Sequence, residues 1–319
     1  MKRVIYCSLV FALSLCLNAC REIVPLEDLG VVPKLVLYCF VSPQYDTIPV
    51  SLINSQPFFS SAKAISEVTN ALVEISNDNQ HWIQLQYDRK SKHYLWLQSV
   101  LPVVEGATYY IRASAPDYES ISSSCTVPFW REVDLFPEVE FPYSPKQDYG
   151  PTAILSFSWK DYPGEENYYT AMRYGFVERG YGDYSSKDFE YYELRHENNE
   201  YVLSDAEKDG ATMRMTVQYI YDYELDSSFD SLTFWDNNTK YDSVYIIFIQ
   251  TDRNTFLYEN SVDAAVRMED MLFAIEPSLI FNNIKNGYGV FGAMTFKSYR
   301  INFRQKTVVE EECPKNLKH

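Results

Sequence analysis

Residues 34–41 have the sequence KLVLYCFV, and Ser42-Pro43 follows them directly. A run of apolar, β-branched and aromatic residues that stops at turn-forming residues predicts a β-strand. Six more short apolar or alternating runs follow, at residues 48–52, 72–76, 81–87, 93–97, 108–113 and 122–127. Seven short strands within residues 34–128 are typical of an immunoglobulin-like β-sandwich.

The second half of the chain also has strand patterns, with one exception. Residues 129–151 are rich in Pro and acidic residues, which predicts a connection between two domains. Residues 254–271 carry apolar residues at helical spacing without Pro or Gly, which predicts one helix. The strands predicted here are residues 153–160, 168–177, 211–221, 243–250 and 287–303. The predicted fold is therefore all-β with minor α, in which the sandwich (34–128) precedes a β-rich C-terminal domain with one helix (152–310).

The first twenty residues have the pattern of a bacterial lipoprotein signal. Lys2 and Arg3 precede an apolar run at residues 4–17, which is too short to span a bilayer, since about 20 apolar residues are needed. The run ends in the sequence LNAC at residues 17–20, which resembles a lipobox. We therefore expect a signal peptide at 1–19, a lipidated Cys20 and a tether at 20–33. The alternative is an ordinary signal peptide with an incidental Cys20.

Acyl chains on Cys20 would attach the protein to a membrane, because each buried CH₂ contributes about 0.8 kcal/mol. The rest of the sequence has no stretch of transmembrane length. The formal net charge is −16, and the sequence pI is about 4.7. Because binding to phosphates needs clustered Lys and Arg, this charge argues against a nucleic-acid partner.

Three cysteines remain after the lipidated one. Cys39 lies in a strongly apolar run and is predicted to be a core residue. Cys125 and Cys313 are then the pair that could form a disulfide in an oxidising envelope, although a free thiol is the alternative. No His lies at zinc-finger spacing from these cysteines, so a metal site is not predicted.

Catalytic signatures are not recognisable in the sequence. His81 and His93 lie in alternating runs and have no acid or Ser at a motif spacing, His196 stands apart from both, and His319 is the last residue. We therefore expect no enzyme and no cofactor. The acidic stretch 222–238 could bind a cation, but it lacks the EF-hand pattern, and a solvated loop is the favoured interpretation.

Tyrosines are concentrated between residues 143 and 201. Tyr side chains offer large, stiff contact areas with a hydroxyl, which suits partner or glycan surfaces, but Tyr is also a strong strand former. Residues 180–186 are rich in Gly, Ser and Asp, which favours a loop there. Contact with a partner or ligand and packing on a sheet both remain open for Tyr181, Tyr184, Tyr191 and Tyr192.

Several segments together resemble one known family. They are the lipobox, PKLVLYCFVSP (33–43), NALVEISND (70–78), EGATYYIRASAPDY (105–118), SCTVP (124–128) and NNIKNGYGVFGA (282–293). The sequence is similar in these segments to the domain of unknown function 4249 family of Bacteroidota lipoproteins. The resemblance implies an outer-membrane lipoprotein that is frequently encoded beside TonB-dependent transporters. It implies no reaction and no catalytic residue.

The resemblance also bears on location and modification. The acidic cluster that often follows the lipidated Cys in surface-exported lipoproteins is incomplete here, so periplasmic and surface leaflets both stay open, with the surface favoured. In this phylum, Asp-Ser/Thr-apolar patterns mark sites of O-glycosylation, and the sites that match are Thr47, Ser231 and Ser243.

The sequence thus predicts a lipid-anchored, non-enzymatic accessory that presents or gates a substrate for a TonB-dependent transporter. The alternative is a structural lipoprotein that acts in envelope assembly or adhesion through protein–protein contacts.

Overall fold

The structure, a computed structural model, describes residues 32–55, 66–140, 152–181, 184–193, 202–220, 234–236, 239–241, 243–269, 279–302 and 305–312. The predicted signal peptide, Cys20, Cys313, His196, His319 and Ser231 lie outside these residues. The first eight strands are β1 (Leu35–Val41), β2 (Thr47–Asn54), β3 (Leu72–Ser76), β4 (Ile83–Gln84), β5 (Gln86–Asp88), β6 (His93–Leu97), β7 (Thr108–Ser114) and β8 (Ile121–Thr126).

These eight strands form two layers around one core. One layer has the order β1-β2-β6-β5, and the other has the order β4-β3-β7-β8. In the order of the chain, this is the strand arrangement of an immunoglobulin-like sandwich, as the sequence predicts. Alternating side chains from both layers, among them Ile48, Trp96 and Ile111, are fully buried and belong to a single hydrophobic cluster.

A buried tyrosine closes the corner before β7. The Tyr109 hydroxyl donates to the carbonyl of Pro102 at 2.8 Å and accepts from the Val104 amide at 2.9 Å. A Tyr that bonds the backbone a few residues upstream, near the start of this strand, is typical of immunoglobulin-like sandwiches.

The sequence predicts one strand at residues 81–87, whereas the structure has two. β4 pairs with β3, while β5 pairs with β6 in the other layer. Leu85 lies between them with its side chain buried, and its amide donates to the carbonyl of Val73 at 2.8 Å. The chain therefore crosses from one layer to the other at Leu85, which an unbroken alternating pattern does not reveal.

The second half contains eleven strands and the helix α1. They are β9 (Phe136–Glu140), β10 (Thr152–Lys160), β11 (Tyr168–Tyr181), β12 (Tyr184–Glu193), β13 (Val202–Ser204), β14 (Thr212–Ile220), β15 (Phe234–Asp236), β16 (Thr239–Tyr241), β17 (Ser243–Thr251), α1 (Arg253–Glu269), β18 (Tyr288–Asn302) and β19 (Thr307–Glu311). The prediction of an all-β fold with a single helix is confirmed for the described residues. β9 lies within the segment predicted to connect the two domains and pairs with β10.

One sheet runs through both halves of the chain. Its order is β12-β11-β17-β18-β1-β2-β6-β5, with β13 beside β11 and β19 beside β18. β18 lies parallel to β1, from Val36 opposite Tyr288 to Val41 opposite Ala293. Gly289 permits this pairing, because its φ is +111° and a Cβ there would lie 2.0 Å from the carbonyl oxygen of Leu37.

An aromatic core lies between this sheet and a second sheet of order β14-β10-β9. Trp159, Tyr169 and Phe248 are fully buried there, and the rings of Trp159 and Phe248 meet edge to face with centroids 4.8 Å apart. Such pairs contribute about 0.5–1.5 kcal/mol beyond their burial.

Helix α1 begins directly after β17, at a residue that caps it. The Oδ1 atom of Asp252 accepts from the Thr255 amide at 2.9 Å, which satisfies one of the unpaired donors of the first turn. Gly292 lets this turn approach β18 closely, because a Cβ at Gly292 would lie 2.2 Å from Thr255 Oγ1. Among the described residues, no helix is both long and apolar enough to cross a membrane.

Candidate functional site

A groove of about 690 Å³ lies where the sandwich meets the first turn of α1. One wall is the outward face of β7 and β8, and the other is the start of α1 with the segment before β18. The residues that line this groove are Asn79, Trp82, Tyr110, Ile111, Arg112, Ser122, Ser123, Ser124, Cys125, Thr126, Asp252, Arg253, Asn254, Asn283 and Lys285.

The groove is positively charged on a chain of net charge −16. Arg112, Arg253 and Lys285 line it, and Asp252 is the one acidic side chain among the lining residues that the structure describes. Lys285 makes no ion pair with any residue that the structure describes, and its side chain is exposed. A local excess of cations on an acidic protein attracts anions.

Arg112 is held in place from two sides. Its Nε donates to Oε2 of Glu74, its cross-strand neighbour, at 2.7 Å, and its guanidinium lies 4.1 Å from the centroid of the Trp82 ring. Guanidinium has five N–H donors, so this ion pair leaves others to bind a ligand. The Arg112 side chain keeps 46% of its surface exposed, compared with 16% for Glu74.

A row of hydroxyls lies opposite Arg112 and Tyr110 across the β7–β8 pair. Ser122 is paired with Arg112, and Ser124 is paired with Tyr110. Both serines are exposed, because the alternation of β8 buries Ile121 and Cys125 instead. Their hydroxyls form no hydrogen bond with another described residue, so both groups are available to a ligand.

The backbone groups of β8 at this edge already form hydrogen bonds within the chain. The amide and carbonyl of Ser122 bond the carbonyl and amide of Lys285, at 3.4 and 2.9 Å. The carbonyl of Ser124 accepts from Nδ2 of Asn254 at 3.2 Å. An incoming peptide strand therefore cannot pair with Ser122–Ser124 of β8, so the groups that the groove offers to a ligand are side chains.

Asp252 has a structural role at the base of the groove. Its Oδ1 accepts from the amide and hydroxyl of Thr255 and from the amide of Ala293. Burial raises the pKa of this carboxyl to about 6, although these hydrogen bonds oppose the shift. The carboxylate thus joins α1 to β18 beneath the exposed cations.

Arg253 lines the groove and also interacts with Tyr168, which is not among the lining residues. Burial raises the pKa of Tyr168 to about 12, and Arg253 opposes this shift by its charge and by a hydrogen bond to the Tyr168 side chain. Of the three groove cations, Lys285 is the one whose side chain has no partner among the described residues.

A cluster of three acids, the acidic cluster, lies in the second half of the chain. It comprises Asp161, Asp205 and Asp209, whose nearest carboxylate oxygens all lie within 4.8 Å of one another. Asp161 and Asp205 are buried, and burial raises the pKa of Asp205. The sequence analysis did not identify this cluster, since its members are separated along the chain and follow no metal-binding motif.

Other groups of the chain donate hydrogen bonds to all three carboxylates. The Tyr169 hydroxyl and the Gly210 amide donate to Asp161 at 2.6 and 2.8 Å. Nδ2 of Asn167 donates to Asp205 at 3.3 Å, and the Gly164 amide donates to Asp209 at 2.7 Å. These bonds tie the turn that follows β10 to the turn that follows β13, which is a structural role.

The four tyrosines singled out by sequence lie on a β-hairpin. Tyr181 and Tyr184 are paired at its tip, Tyr174 is opposite Tyr191, and Arg173 is opposite Tyr192. The loop favoured for residues 180–186 is wrong, since β11 extends to Tyr181 and β12 starts at Tyr184. β12 is the last strand of the ten-stranded sheet on this side.

Both described cysteines are free. Cys39 and Cys125 are buried in the sandwich core, and burial raises the pKa of each thiol. The suggested Cys125–Cys313 disulfide stays a prediction, since Cys313 lies outside the described residues, while the alternation of β8 points Cys125 into the core. Of the suggested glycosylation sites, Thr47 is half-buried at the start of β2, and Ser243 is the first residue of β17.

His81 has an acidic partner that the sequence analysis did not identify. Its Nδ1 lies 2.7 Å from Oδ2 of Asp78, which raises the pKa of His81 and lowers that of Asp78. The His81 side chain is 88% exposed. Asp78 also accepts from the backbone amides of Gln80 and His81, so the pair closes the turn between β3 and β4.

The sequence matches the family described as Domain of unknown function (DUF4249) over residues 21–300. The chain belongs to this family. The resemblance drawn from the sequence segments is thus confirmed, and the family description assigns no reaction. A search of curated proteins gave no match.

Among solved structures, the chain is similar to one described as "Biofilm associated protein - B domain". It aligns with 86% of this chain and 88% of its own length, at 6% identity and a TM-score of 0.17. That similarity is too low to carry an argument about this member of the family.

Proposed function

We propose that this protein is a lipid-anchored, non-enzymatic binding protein of the bacterial outer membrane. In this proposal it presents or gates a substrate for a TonB-dependent transporter, and the surface leaflet is the favoured location. The observation that carries the proposal is the lipobox-like sequence ending at Cys20, which precedes a folded chain with an open groove. The groove has charges and hydroxyls for binding but no nucleophile–base pair among its described residues.

The edge strand β12 is the proposed contact with the transporter. An edge strand presents unpaired backbone groups to a partner, and Tyr supplies stiff contact area. In this proposal, a partner bound at the hairpin that carries Tyr181 and Tyr184 leaves the groove accessible to a ligand.

The test is a mild-detergent pull-down from the native membrane, followed by mass spectrometry. We expect a TonB-dependent barrel in stoichiometric amount. A Cys20→Ala variant provides the control for anchoring, because it should leave the membrane fraction and lose the barrel. Recovery of the protein alone, or with envelope-assembly machinery, would contradict the transport proposal and favour the structural alternative.

A second arm tests the contact surface. The double variant Tyr181→Ser/Tyr184→Ser should reduce the recovered barrel, whereas Tyr288→Ser should not, because this exposed tyrosine lies on β18. Equal recovery with both variants would place the contact elsewhere.

A further inference from the structure

The groove contains three kinds of group that one ligand class would use together. These are the cations Arg112 and Lys285, the aromatic side chains of Trp82 and Tyr110, and the free hydroxyls of the β8 serines. We propose that the groove binds an acidic saccharide, a sugar that carries carboxylate or sulfate groups. This inference deepens the proposed function and rests on it, since it treats the chain as a binding protein.

The cationic side chains of the groove favour an anionic ligand. Arg112 is pre-positioned by Glu74 and Trp82, so little side-chain freedom is lost when it binds an oxyanion. Lys285 is anchored through its backbone to Ser122, which keeps its flexible side chain beside the groove. Charge-assisted hydrogen bonds from both cations would hold one acidic group.

The size and lining favour a saccharide over a simple anion. A space of about 690 Å³ is within the range of small-molecule sites, about 300–1,000 Å³, and far exceeds the size of inorganic phosphate. Sugar rings combine an apolar C–H face with a rim of hydroxyls. Tyr110 offers an aromatic body with a polar tip, and Ser122 and Ser124 offer hydroxyl partners directly across from Tyr110 and Arg112.

The occupied edge of β8 disfavours an acidic peptide. Peptides that bind sheets commonly add a strand through backbone hydrogen bonds. Lys285 and Asn254 already bond the backbone of Ser122 and Ser124, so this mode is blocked along the groove.

The test is calorimetric titration of the full, detergent-solubilised chain with a fixed set of probes. The acidic probes are trigalacturonate, sialyllactose and a heparin tetrasaccharide. The comparison probes are methyl-esterified trigalacturonate, lactose, inorganic phosphate and hexaglutamate. We expect at least one acidic saccharide to bind, more tightly than its neutral counterpart, with an affinity that falls as salt increases.

Variants locate the binding. Lys285→Gln and Arg112→Gln should each weaken the affinity about tenfold, the usual effect of one charge-assisted bond. Lys208→Gln, at an exposed lysine outside the groove, should leave it unchanged. Because Arg112 also pairs with Glu74, Lys285→Gln decides the outcome if Arg112→Gln folds poorly.

Four results would overturn the inference. They are no binding of any acidic saccharide, equal binding of acid and neutral forms, phosphate or hexaglutamate binding as tightly as the saccharides, and binding unaffected by Lys285→Gln. The pull-down result is independent of these titrations. A barrel recovered without saccharide binding would remove this inference alone, whereas saccharide binding without a barrel would remove the transporter role alone.

Discussion

The groove and the acidic cluster are both concentrations of charge, but the chain uses them in opposite ways. In the acidic cluster, the buried Asp161 carboxylate accepts hydrogen bonds from the Tyr169 hydroxyl and the Gly210 amide, at 2.6 and 2.8 Å. In the groove, Lys285 has no ion pair among the described residues and is exposed to solvent. The carboxylates of the cluster are hydrogen-bonded within the chain, while the Lys285 ammonium in the groove has donors that no described residue uses.

This difference separates a charged group that stabilises the fold from one that can bind. A buried carboxylate must be bonded, because an unpaired one costs several kcal/mol, so its internal bonds indicate a structural role. An exposed cation without a partner costs the fold little. Mutations should therefore affect stability at the cluster and affinity at the groove.

The largest effect on stability is expected at the cluster. Asp161→Ala removes two bonds to a buried carboxylate and leaves the Tyr169 hydroxyl and the Gly210 amide without their acceptor. We expect the free energy of unfolding to fall by about 3 kcal/mol, measured by urea denaturation, while saccharide affinity is unchanged.

Asp209→Ala is the matched control within the same cluster. Asp209 is exposed and accepts one amide, so its loss should cost less than about 1 kcal/mol. If calcium raised the melting temperature and Asp161→Ala abolished that rise, the cluster would be a cation site and the comparison would fail.

The next largest loss of stability is expected at Gly292, where the first turn of α1 packs against β18. Gly292→Ala would place a Cβ 2.2 Å from Thr255 Oγ1 and push the first turn of α1 away from β18. Such overpacking should cost about 2 kcal/mol and also weaken groove binding, in contrast to Asp161→Ala.

A double-mutant cycle with Thr255→Ala tests this cause. Removing the hydroxyl relieves the closest contact, so Gly292→Ala should cost less in the Thr255→Ala background. Equal costs in both backgrounds would show that the destabilisation arises from another contact.

A smaller effect depends on pH. Burial raises the pKa of Asp252 in the folded state to about 6, above the usual value near 4. The folded state then binds the extra proton between these values, so this group makes stability fall as pH rises from about 4 to about 6. Asp252→Asn keeps a capping oxygen and cannot titrate, so it should remove most of that fall, measured by urea denaturation across pH.

Asp78 provides a control of opposite sign. Its pKa is lowered by His81 and by backbone amides, so its contribution is present above its ordinary pKa and is lost as pH falls. Stability curves of wild type and Asp252→Asn that stay parallel from pH 4 to 7 would contradict the assigned role of Asp252.

The smallest effect on stability is expected from the groove cations. Arg112→Gln leaves the half-buried Glu74 without its ion pair and should cost about 1 kcal/mol. Lys285→Gln should change the free energy of unfolding by less than about 0.5 kcal/mol. A larger loss from Lys285→Gln would place Lys285 with the structural charges and remove it from the ligand site.

The local strands could be predicted from the sequence, because alternation and turn residues act over a few positions. Six of the seven runs of the sandwich, the helix, and β10, β14, β17 and β18 follow from such patterns, whereas the run at 81–87 is two strands. The parallel pairing of β1 with β18 could not be predicted, since a pairing between residues 36 and 288 leaves no local pattern. Likewise, Gly, Ser and Asp at residues 180–186 suggest a loop, whereas the described residues of this segment belong to β11, which ends at Tyr181, and to β12, which starts at Tyr184.

The groove was missed for the same physical reason. Its lining comes from five separate segments that only the folded chain brings together. One signal was present in the sequence, since the alternation of TYYIRA at residues 108–113 places Tyr110 and Arg112 on the same face. That signal identifies an outward face but does not identify the serines and Lys285 beside it.

Hydrogen exchange measured by mass spectrometry tests the central claim most directly. The full chain would be compared with and without the tightest-binding of the three acidic saccharides. The account predicts slower exchange in peptides that cover residues 105–126 and 279–290, and no change in peptides that cover 161–170 and 203–213. Protection at the acidic cluster, or no protection along β7, β8 and the segment before β18, would contradict it.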